Sequence, residues 1–385
     1  MENLIINTGQ KLRVVMVAPT FPLEEGRVNG GVQGASLYIC RALAQIEAID
    51  LHVVRPFAPQ GTAGLKQLYG LRVHFVEASK NLSPAFDRKD IRKTFQLIKQ
   101  LVPHIVHVQG LPVWANESPF PGVVTIHGIS EKDVLYQGPW LVSRLKFLFL
   151  WLREGSARRN AHNVIAINPY VYQFLGSPQK QRVWDIANPV ADDFFAVNRR
   201  PIPGRIFSAS NMIPLKNLKR LIEAFSQVAK ADPRAELRLA GSAQESKYGQ
   251  ECRMLVDSLG LTNRVRFLGL LSLERMQEEL ALAGCFALCS KQENAPLSVS
   301  EAMAAGVPVV ASRICGLPWM VEDGETGMLV DPMNITNIAQ SLSQVLLPEN
   351  VERMGLAAKQ RAADLFSPSI IAQKTFDVYR EILSR

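Results

Sequence analysis

One segment near residue 300 constrains the fold more than any other part of this sequence. Cys285–Ser290 is a short apolar run with the length and composition of a buried strand. Pro296 suits the first turn of a helix, because its missing N–H would be unpaired there anyway, and Gly306 is a typical helix stop. A second strand begins at Val307. This order of strand, loop, helix and strand predicts one βαβ unit of a parallel sheet.

The same alternation extends along the whole chain. Leu12–Ala18 is continuous in apolar residues, which is typical of a parallel strand buried on both faces. A second series begins at Arg205, after a proline-containing segment at Ala191–Gly204 that we interpret as a hinge. Because 385 residues also exceed one compact core, we predict an α/β protein of two Rossmann-like, doubly wound parallel-sheet domains that face a cleft. The predicted boundaries are 1–195 for the first domain, 196–368 for the second and 369–385 for a terminal helix.

Composition limits the classes of function. The apolar fraction of 47% and the charged fraction of 20% are those of a soluble globular protein, and no apolar run is long enough to span a bilayer. Met1–Gln10 does not resemble a signal peptide and the five cysteines are scattered, so reduced thiols and a cytoplasmic location are expected. The net charge of +8 favours anionic ligands, but no basic run or binding module predicts contact with nucleic acid.

One helical stretch leaves a question about partners open. Trp140–Arg159 combines leucines at helical spacing with interleaved basic residues, among them Arg144 and Lys146. The helix could pack against the first sheet, or it could lie on a membrane surface as an amphipathic anchor. Peripheral contact with the inner face of a membrane is therefore one of two alternatives.

Two carboxylates lie on either side of the start of the helix in the segment near residue 300. Glu293 lies in the loop before the helix, and Glu301 lies about one turn inside it, roughly 6 Å along the axis. The first amides of a helix carry a partial positive charge and form a seat for phosphate. A carboxylate at position 301 could then accept hydrogen bonds from both ribose hydroxyls of a nucleotide while the amides hold its diphosphate. The alternative is an ordinary amphipathic helix with two solvated glutamates.

The motifs around this segment carry a resemblance to a known family. Glu293 and Glu301 form an E-x7-E pair, and the sequences AMAAGVPVVAS and EDGETGMLVDP follow in order. With these motifs the chain resembles the retaining GT-B glycosyltransferases of family 4, which use nucleotide-sugars. The resemblance implies that Glu293 positions sugar hydroxyls, that Glu301 binds the ribose, and that the C-terminal helix packs back on the first domain. It also implies donor contacts from the residues between the two carboxylates, namely Asn294, Ala295, Pro296 and Leu297.

A second motif follows the first strand of the second domain. The family usually has G-R-x-x-P-x-K-G there, and this chain has Pro214 and Lys216 at matching positions but Asn211 in place of the arginine. The resemblance implies that Asn211 and Lys216 contact the donor and that Lys216 neutralises the charge that grows on the leaving diphosphate. An amide cannot replace the charge and the bidentate fork of an arginine. Another cation could compensate, the enzyme could be slow, or the site could bind its donor without turnover.

The first domain contributes a glycine-rich loop and a histidine. Gly30 and Gly31 open a helix after the first strand, and glycines let a backbone approach a ligand closely. The loop lacks G-x-G-x-x-G, and Arg55 stands where a dinucleotide site needs an acid, which disfavours a dehydrogenase. In the similar enzymes this loop faces the donor diphosphate, and a histidine that matches His127 lines the sugar pocket. Their backbone near the position of Leu268 holds the base.

No metal or cofactor is expected. The sequence has no D-x-D motif, and helix amides together with Lys216 can take the role of a divalent ion. We predict a retaining, metal-independent enzyme that moves a hexosyl unit from a nucleotide-sugar, with UDP-glucose or a similar UDP-hexose as the expected donor, to a saccharide or lipid-linked saccharide acceptor. The alternatives are a sugar-nucleotide epimerase on the same fold and a donor-binding protein without turnover. His107 also ends a strand. The sequence leaves open whether its side chain contacts the acceptor or only packs in the core.

Overall fold

The structure is a computed structural model that describes residues 11–26, 28–79, 88–136 and 138–384. Within these residues the chain forms two α/β domains, each built on one sheet, so the predicted architecture is confirmed. Met1–Gln10, on which the signal-peptide interpretation rests, lies outside the described residues.

The N-terminal sheet has eight strands within the described residues, in the spatial order β3-β4-β2-β1-β5-β6-β7-β8. Its strands are β1 (Leu12–Val17), β2 (Ile49–Ala58), β3 (Gly64–Leu68), β4 (Leu71–Glu77), β5 (Ile105–Gln109), β6 (Gly122–Ile126), β7 (Asn163–Ala166) and β8 (Arg182–Asp185). The helices of this half are α1 (Gly31–Ala44), α2 (Arg88–Gln100), α3 (Pro112–Glu117), α4 (Ser130–Asp133), α5 (Trp140–Leu150), α6 (Ser156–Asn160) and α7 (Asp192–Phe195). A π-helical turn, Trp151–Gly155, joins α5 to α6, so the single helix expected over 140–159 is interrupted there.

The C-terminal sheet has the order β11-β10-β9-β12-β13-β14, the doubly wound pattern in which ligands bind where the strand order reverses. Its strands are β9 (Arg205–Ala209), β10 (Glu236–Ala240), β11 (Val265–Gly269), β12 (Cys285–Leu288), β13 (Val309–Ser312) and β14 (Gly327–Val330). The helices are α8 (Leu218–Ala231), α9 (Lys247–Ser258), α10 (Leu273–Leu282), α11 (Leu297–Ala304), α12 (Leu317–Met320), α13 (Ile335–Val345), α14 (Pro348–Phe366) and α15 (Pro368–Leu383).

Alternate residues of the central strands supply separate apolar cores. In β1, Val14 packs into one cluster and Val15 into another, and in β12 Phe286 and Ala287 divide in the same way. Both faces of each sheet are therefore covered, which explains why these strands are continuous apolar runs rather than alternating ones.

One edge of the N-terminal sheet differs from the sequence-based expectation. The sequence predicts a loop over 60–70, but β3 pairs antiparallel with β4 there. The turn between the two strands is Tyr69-Gly70, with φ values of 54° and 75°. Two positive φ values are typical of a type I′ hairpin turn, whose twist matches the flanking strands. The mostly exposed residues of β3 have no apolar alternation that could indicate a strand.

The segment interpreted as a hinge, Ala191–Gly204, is partly helical. It contains α7, whose Phe194 is fully buried in the core. Just before it, the amide of Val190 donates to the carbonyl of Phe366 at the end of α14. The connection between the domains is therefore packed at its start.

The last helix returns to the N-terminal domain. α15 packs along α1, and its Tyr379 is fully buried. A hydrogen bond of 2.6 Å joins the hydroxyl of Tyr379 to Nδ1 of His107, and a second one of 2.7 Å joins Nε2 of His107 to Thr125. Burial lowers the pKa of His107 to about 3, so its imidazole is neutral. His107 therefore ties α15 to the sheet and has no nitrogen left for an acceptor.

Removal of the Tyr379 hydroxyl tests whether its hydrogen bond to His107 stabilises the packing of α15. Tyr379→Phe should lower the free energy of unfolding by about 1–3 kcal/mol, because a buried imidazole nitrogen loses its partner while the ring still packs. Urea denaturation followed by fluorescence measures the change. Tyr136→Phe, at an exposed side chain, is the control and should stay within about 0.5 kcal/mol of the wild type. Equal effects in both variants would show that the bond does not hold α15 in place.

Candidate active site

A cavity of about 340 Å³ lies between the two domains, at the carboxyl ends of strands from both sheets. It brings together most of the candidate residues from widely separated parts of the sequence. Those that line it are Gly30, Gly31, His127, Asn211, Lys216, Glu293, Asn294, Ala295, Pro296, Leu297 and Glu301.

Leu268 does not line this cavity. Its side chain packs against the apolar core, and the strand that carries it ends at Gly269, where φ is +75°. After this turn Leu270 and Leu271 line the cavity instead. Contact between a donor and the backbone near Leu268 stays a prediction.

Two helix N-termini meet at the cavity. α1 begins at Gly31 and α11 at Leu297, and a Cβ atom built on Gly31 would lie 3.8 Å from the amide nitrogen of Leu297. A Cβ atom on Gly34 would lie only 2.4 Å from Cδ2 of Leu297, so glycine allows this close approach. The first amides of a helix have no partner within the helix, and its dipole is positive at this end. The junction therefore offers donors and positive potential from both domains to one anionic group.

Pro296 differs slightly from its expected place. It precedes the helix as its N-cap residue, with extended ψ of 121°, rather than lying in the first turn. Two side-chain hydrogen bonds tie the loop before it to the first domain. The side chain of Asn168 donates to the carbonyl of Asn294 at 2.8 Å, and the side chain of Asn294 donates to the carbonyl of His127 at 3.0 Å. These bonds position the start of α11 at the domain interface.

Glu301 is buried on the inner face of α11. The hydroxyl of Tyr38, on α1, donates to its Oε1 at 3.0 Å. Burial raises the pKa of Glu301 to about 8, and the hydrogen bond from Tyr38 partly opposes this rise. Burial and the nearby carboxylate raise the pKa of Tyr38 well above its usual value, so it remains a donor. Tyr38 was missed by sequence reasoning, since nothing in α1 marks it as different from a core residue.

Lys216 and Glu293 form an ion pair at the cavity wall. Nζ of Lys216 donates to Oε1 of Glu293 at 2.5 Å, and both side chains are largely shielded from solvent. Lys216 ends a 3₁₀ turn, and the next residue, Asn217, has a φ of +57°. The side-chain amide of Asn217 donates to the carbonyls of Cys289 and Pro332, which fixes the turn. The cation is thereby held in the cavity with its charge balanced by a carboxylate.

Asn211 lines the cavity without replacing the charge of an arginine. Its Oδ1 accepts a hydrogen bond of 2.8 Å from the hydroxyl of Ser242. Among the described residues that line the cavity, Lys216 is the only cation. A compensating basic side chain is therefore not found in this part of the structure.

His127 is buried at the cavity wall and faces it from the first domain. Its Nε2 donates to Oε1 of Gln109 at 2.6 Å. Burial lowers the pKa of His127 to about 4, with Asn188 opposing the shift. The imidazole is therefore neutral near pH 7 and can offer a polar edge without adding charge.

Asp133 is a cavity residue that sequence reasoning missed. It lies on α4, in a stretch without recognisable motifs, six positions after His127. Burial and, after it, the carboxylate of Glu293 raise the pKa of Asp133 to about 6, and Lys216 opposes the shift. This part of the cavity thus contains two carboxyl groups and one ammonium group.

The loop at Cys315 and Gly316 packs closely on the segment before α11. Cys315 adopts a positive φ of 49°, and its thiol donates to Gln292. At Gly316 a Cβ atom would lie 1.8 Å from the carbonyl oxygen of Asn294. The loop therefore supports the segment before α11.

Within the residues that the structure describes, no group of three or more His, Cys, Asp or Glu side chains is placed to hold a metal ion. Among the helices in those same ranges, none has the length and hydropathy needed to cross a bilayer.

Two family models match the chain in succession. The model described as Glycosyltransferase Family 4 matches residues 29–194, and the model described as Glycosyl transferases group 1 matches residues 191–361. The change from one model to the other falls at the start of the interdomain connection. Together they cover both domains.

Curated relatives match part of the chain. D-inositol 3-phosphate glycosyltransferase of Corynebacterium diphtheriae is 36% identical over 166 residues, which make up 41% of this chain and 38% of the relative. N-acetyl-alpha-D-glucosaminyl L-malate synthase of Bacillus anthracis is 30% identical over 177 residues, 45% of this chain and 44% of the relative. The chain thus spans less than half the length of these curated relatives.

Solved structures match nearly the whole chain. Sucrose-phosphate synthase from Thermosynechococcus elongatus superposes with a TM-score of 0.76 at 20% identity, over 96% of this chain and 99% of that one. HepE of Anabaena, in complex with UDP and glucose, superposes with a TM-score of 0.69 at 19% identity, over 96% and 100%. At this identity the likeness establishes the two-domain fold.

Burial of Glu301 makes stability depend on pH. Its pKa is about 8 in the folded state against an ordinary value of 4.5. The folded protein therefore keeps a proton that the unfolded chain releases, and this contribution to stability is full below pH 4.5 and is lost as the pH rises through 8. Glu301→Gln, which does not titrate, should gain in melting temperature relative to the wild type as the pH rises from about 5 to about 8.

Thermal melts without ligand over this pH range measure the difference. Glu349→Gln, at an exposed carboxyl group, is the control and should run parallel to the wild type. A parallel profile for Glu301→Gln as well would contradict the burial of an ionisable group at this position.

Proposed function

Because the chain belongs to the group 1 glycosyltransferases with the GT-B fold, we propose that it transfers a hexosyl unit from a nucleotide-sugar to a saccharide or lipid-linked saccharide acceptor. The observation that carries this proposal is the meeting of the N-termini of α1 and α11, with the carboxyl group of Glu301 one turn deeper. A diphosphate fits the two sets of free amides, and a ribose fits the carboxyl group. Few other ligands combine these two groups at that spacing.

The buried carboxyl group favours a ligand that donates two hydrogen bonds. Tyr38 occupies one oxygen of Glu301 and orients the group. Ribose hydroxyls that donate to the carboxylate stabilise its ionised form, so donor binding should release a proton near neutral pH. Glu301 therefore acts in donor binding and Tyr38 positions it.

The charges at the other end of the cavity suit departure of a diphosphate. As the bond to the sugar breaks, negative charge grows on the leaving group, and Lys216 is the cation in reach among the described lining residues. Its present partner, Glu293, is then free to accept hydrogen bonds from sugar hydroxyls. Neutral His127 lines the same end. In this scheme departure of the diphosphate and arrival of the acceptor share one face, which gives retention at the anomeric carbon.

The donor that we propose is a UDP-hexose such as UDP-glucose. Support comes from the similar HepE structures, one of which was solved with UDP-glucose. A thermal-shift screen of nucleotide-sugars tests the base and the sugar together. Stabilisation by another nucleotide-sugar, with none by UDP-glucose, would overturn this choice of donor while leaving the reaction class intact.

Asn211 supports one second candidate, a protein that binds the donor without turnover. No other cation in the described lining replaces the missing arginine, and one ammonium group then carries the stabilisation of the leaving group. This candidate predicts donor binding by calorimetry and no release of diphosphate with any acceptor. An epimerase would instead consume donor without an acceptor.

Two alanine variants separate the proposed roles. Lys216→Ala should lower kcat/KM by roughly 10²–10³-fold, because charge stabilisation in the transition state is lost. Glu301→Ala should raise the donor KM by roughly 10–100-fold and lower kcat much less, because its contacts are made equally in the ground state. Release of UDP from UDP-glucose measures both. Lys219→Ala, at a half-exposed lysine paired with Glu251 outside the cavity, is the control and should leave both constants unchanged. Unchanged kinetics in Lys216→Ala and Glu301→Ala would end the assignment of roles.

We also propose that the reaction needs no metal, since helix amides and Lys216 supply the positive charge. Turnover should persist in excess EDTA, measured by UDP release. Full loss of turnover with the chelator, restored by Mn²⁺ or Mg²⁺, would contradict this part of the proposal.

A further inference from the structure

The outer side of α5 and of the π-helical turn after it exposes large apolar side chains. Exposure reaches 67% at Trp140, 62% at Leu141 and Leu145 and 58% at Leu152. We call this surface the apolar face and define it by Trp140, Leu141, Leu145, Leu148, Trp151 and Leu152. Contiguous apolar surface of this kind on a folded protein marks a site of contact with a partner or a membrane.

The apolar and polar sides of α5 are oriented in the opposite way to those of a typical surface helix. Ser143 and Glu154 are buried on the side toward the protein, with Phe147 partly buried between them, while the leucines point outward. A surface helix of a globular domain usually buries its leucines and exposes its polar residues. The leucines of α5 therefore do little for the packing of the first domain.

Charge on this surface is basic. Arg144 and Lys146 are exposed among the leucines. The acidic residues of the same region are turned away from it, since Glu131 is buried in an ion pair with Arg158 and Glu154 is buried. Cations that alternate with apolar side chains complement a surface that is both apolar and anionic.

Both tryptophans of the apolar face make a cation–π contact with an arginine. The guanidinium of Arg144 lies 4.4 Å from the ring centroid of Trp140, and that of Arg159 lies 5.1 Å from the ring of Trp151. Tryptophan favours the level of lipid headgroups, and arginine can reach from apolar surface to phosphate. A protein partner of ordinary composition would not require this combination at both ends of one helix.

The apolar face is one helix away from the cavity. α5 packs directly on α4, which carries the cavity residue Asp133. A flat surface that covers α5 would therefore lie next to the first-domain wall of the cavity.

We propose that the apolar face binds the surface of an anionic lipid bilayer, with α5 lying in the plane of the headgroups. The further clause, that this brings the acceptor side of the cavity to lipid-linked saccharides, rests on the proposed function. Binding to the bilayer itself rests only on the surface of α5.

Co-sedimentation of the full chain with vesicles tests the proposal. We expect the wild type to sediment with vesicles of phosphatidylcholine and phosphatidylglycerol, and less with phosphatidylcholine alone. The triple variant Leu141→Glu, Leu145→Glu, Leu152→Glu should lose roughly a hundredfold or more in partition to the anionic vesicles. Replacement of Arg144 and Lys146 by glutamine should weaken binding to the anionic vesicles and leave binding to the neutral ones unchanged.

A matched control carries the same charge change elsewhere. Leu65→Glu, Met254→Glu and Leu356→Glu alter three similarly exposed apolar residues on other elements, and this triple variant should sediment like the wild type. Wild-type protein left in the supernatant, or equal loss in both triple variants, would overturn the proposal. So would concentration-dependent self-association in the ultracentrifuge that only the α5 variant loses, because the face would then join copies of the chain.

Failure of this proposal can be told from failure of the proposed function. Vesicle binding is measured without nucleotide, and UDP release from UDP-glucose is measured without vesicles. The α5 variant should keep the wild-type rate of UDP release in solution. A loss of that rate with an unfolded melt would mark the variant as damaged, and the Arg144 and Lys146 pair would then decide the case through its effect on vesicle binding.

Discussion

The contact between the N-termini of α1 and α11 is the constraint on which the rest of the structure depends. Each helix belongs to a different domain, and Gly31 and Leu297 meet where both begin. Peptide dipoles with their positive ends together repel each other, so packing elsewhere must hold this arrangement unless an anion lies between them. Here the packing is supplied by Leu297 against Gly34 and by α15, which returns to lie on α1. The positive ends of two helices make the junction suited to an anionic group.

The charged side chains of the cavity balance one another. Lys216 is paired with Glu293, and burial raises the pKa values of Glu301 and Asp133 toward neutrality. Isolated charges are costly in a closed site, and pairing or protonation lowers that cost. A ligand can take over both roles. Its negative charge would replace Glu293 as the partner of Lys216, and its hydrogen-bond donors would stabilise the ionised form of Glu301. His127 is neutral and hydrogen-bonded to Gln109, so it lines the site without adding a charge to it.

Sequence reasoning succeeded where physical signals are local. The bounds of β1 and β12, Leu12–Val17 and Cys285–Leu288, agree closely with the predicted Leu12–Ala18 and Cys285–Ser290, because a continuous apolar run specifies a buried strand without its neighbours. It failed at β3, whose edge position requires no apolar alternation. Tyr38 and Asp133 carry no local signal at all. Tyr38 becomes a site residue only because Glu301, which lies 263 positions away in sequence, is brought to its hydroxyl.

The sequence by itself determined the alternation of strands and helices away from the sheet edge, the start of α11 to within one residue and the two carboxylates on either side of that start, because these follow from periodicity and from the backbone preferences of proline and glycine. The tertiary structure alone decided which distant groups share one cavity and which of them lose their charge, since desolvation depends on atoms that approach from other parts of the chain. It also decided the orientation of α5. The same spacing of leucines is compatible with a helix packed on a sheet or with one that faces outward, and only the packing of Ser143 and Glu154 against the domain turned the leucines toward solvent.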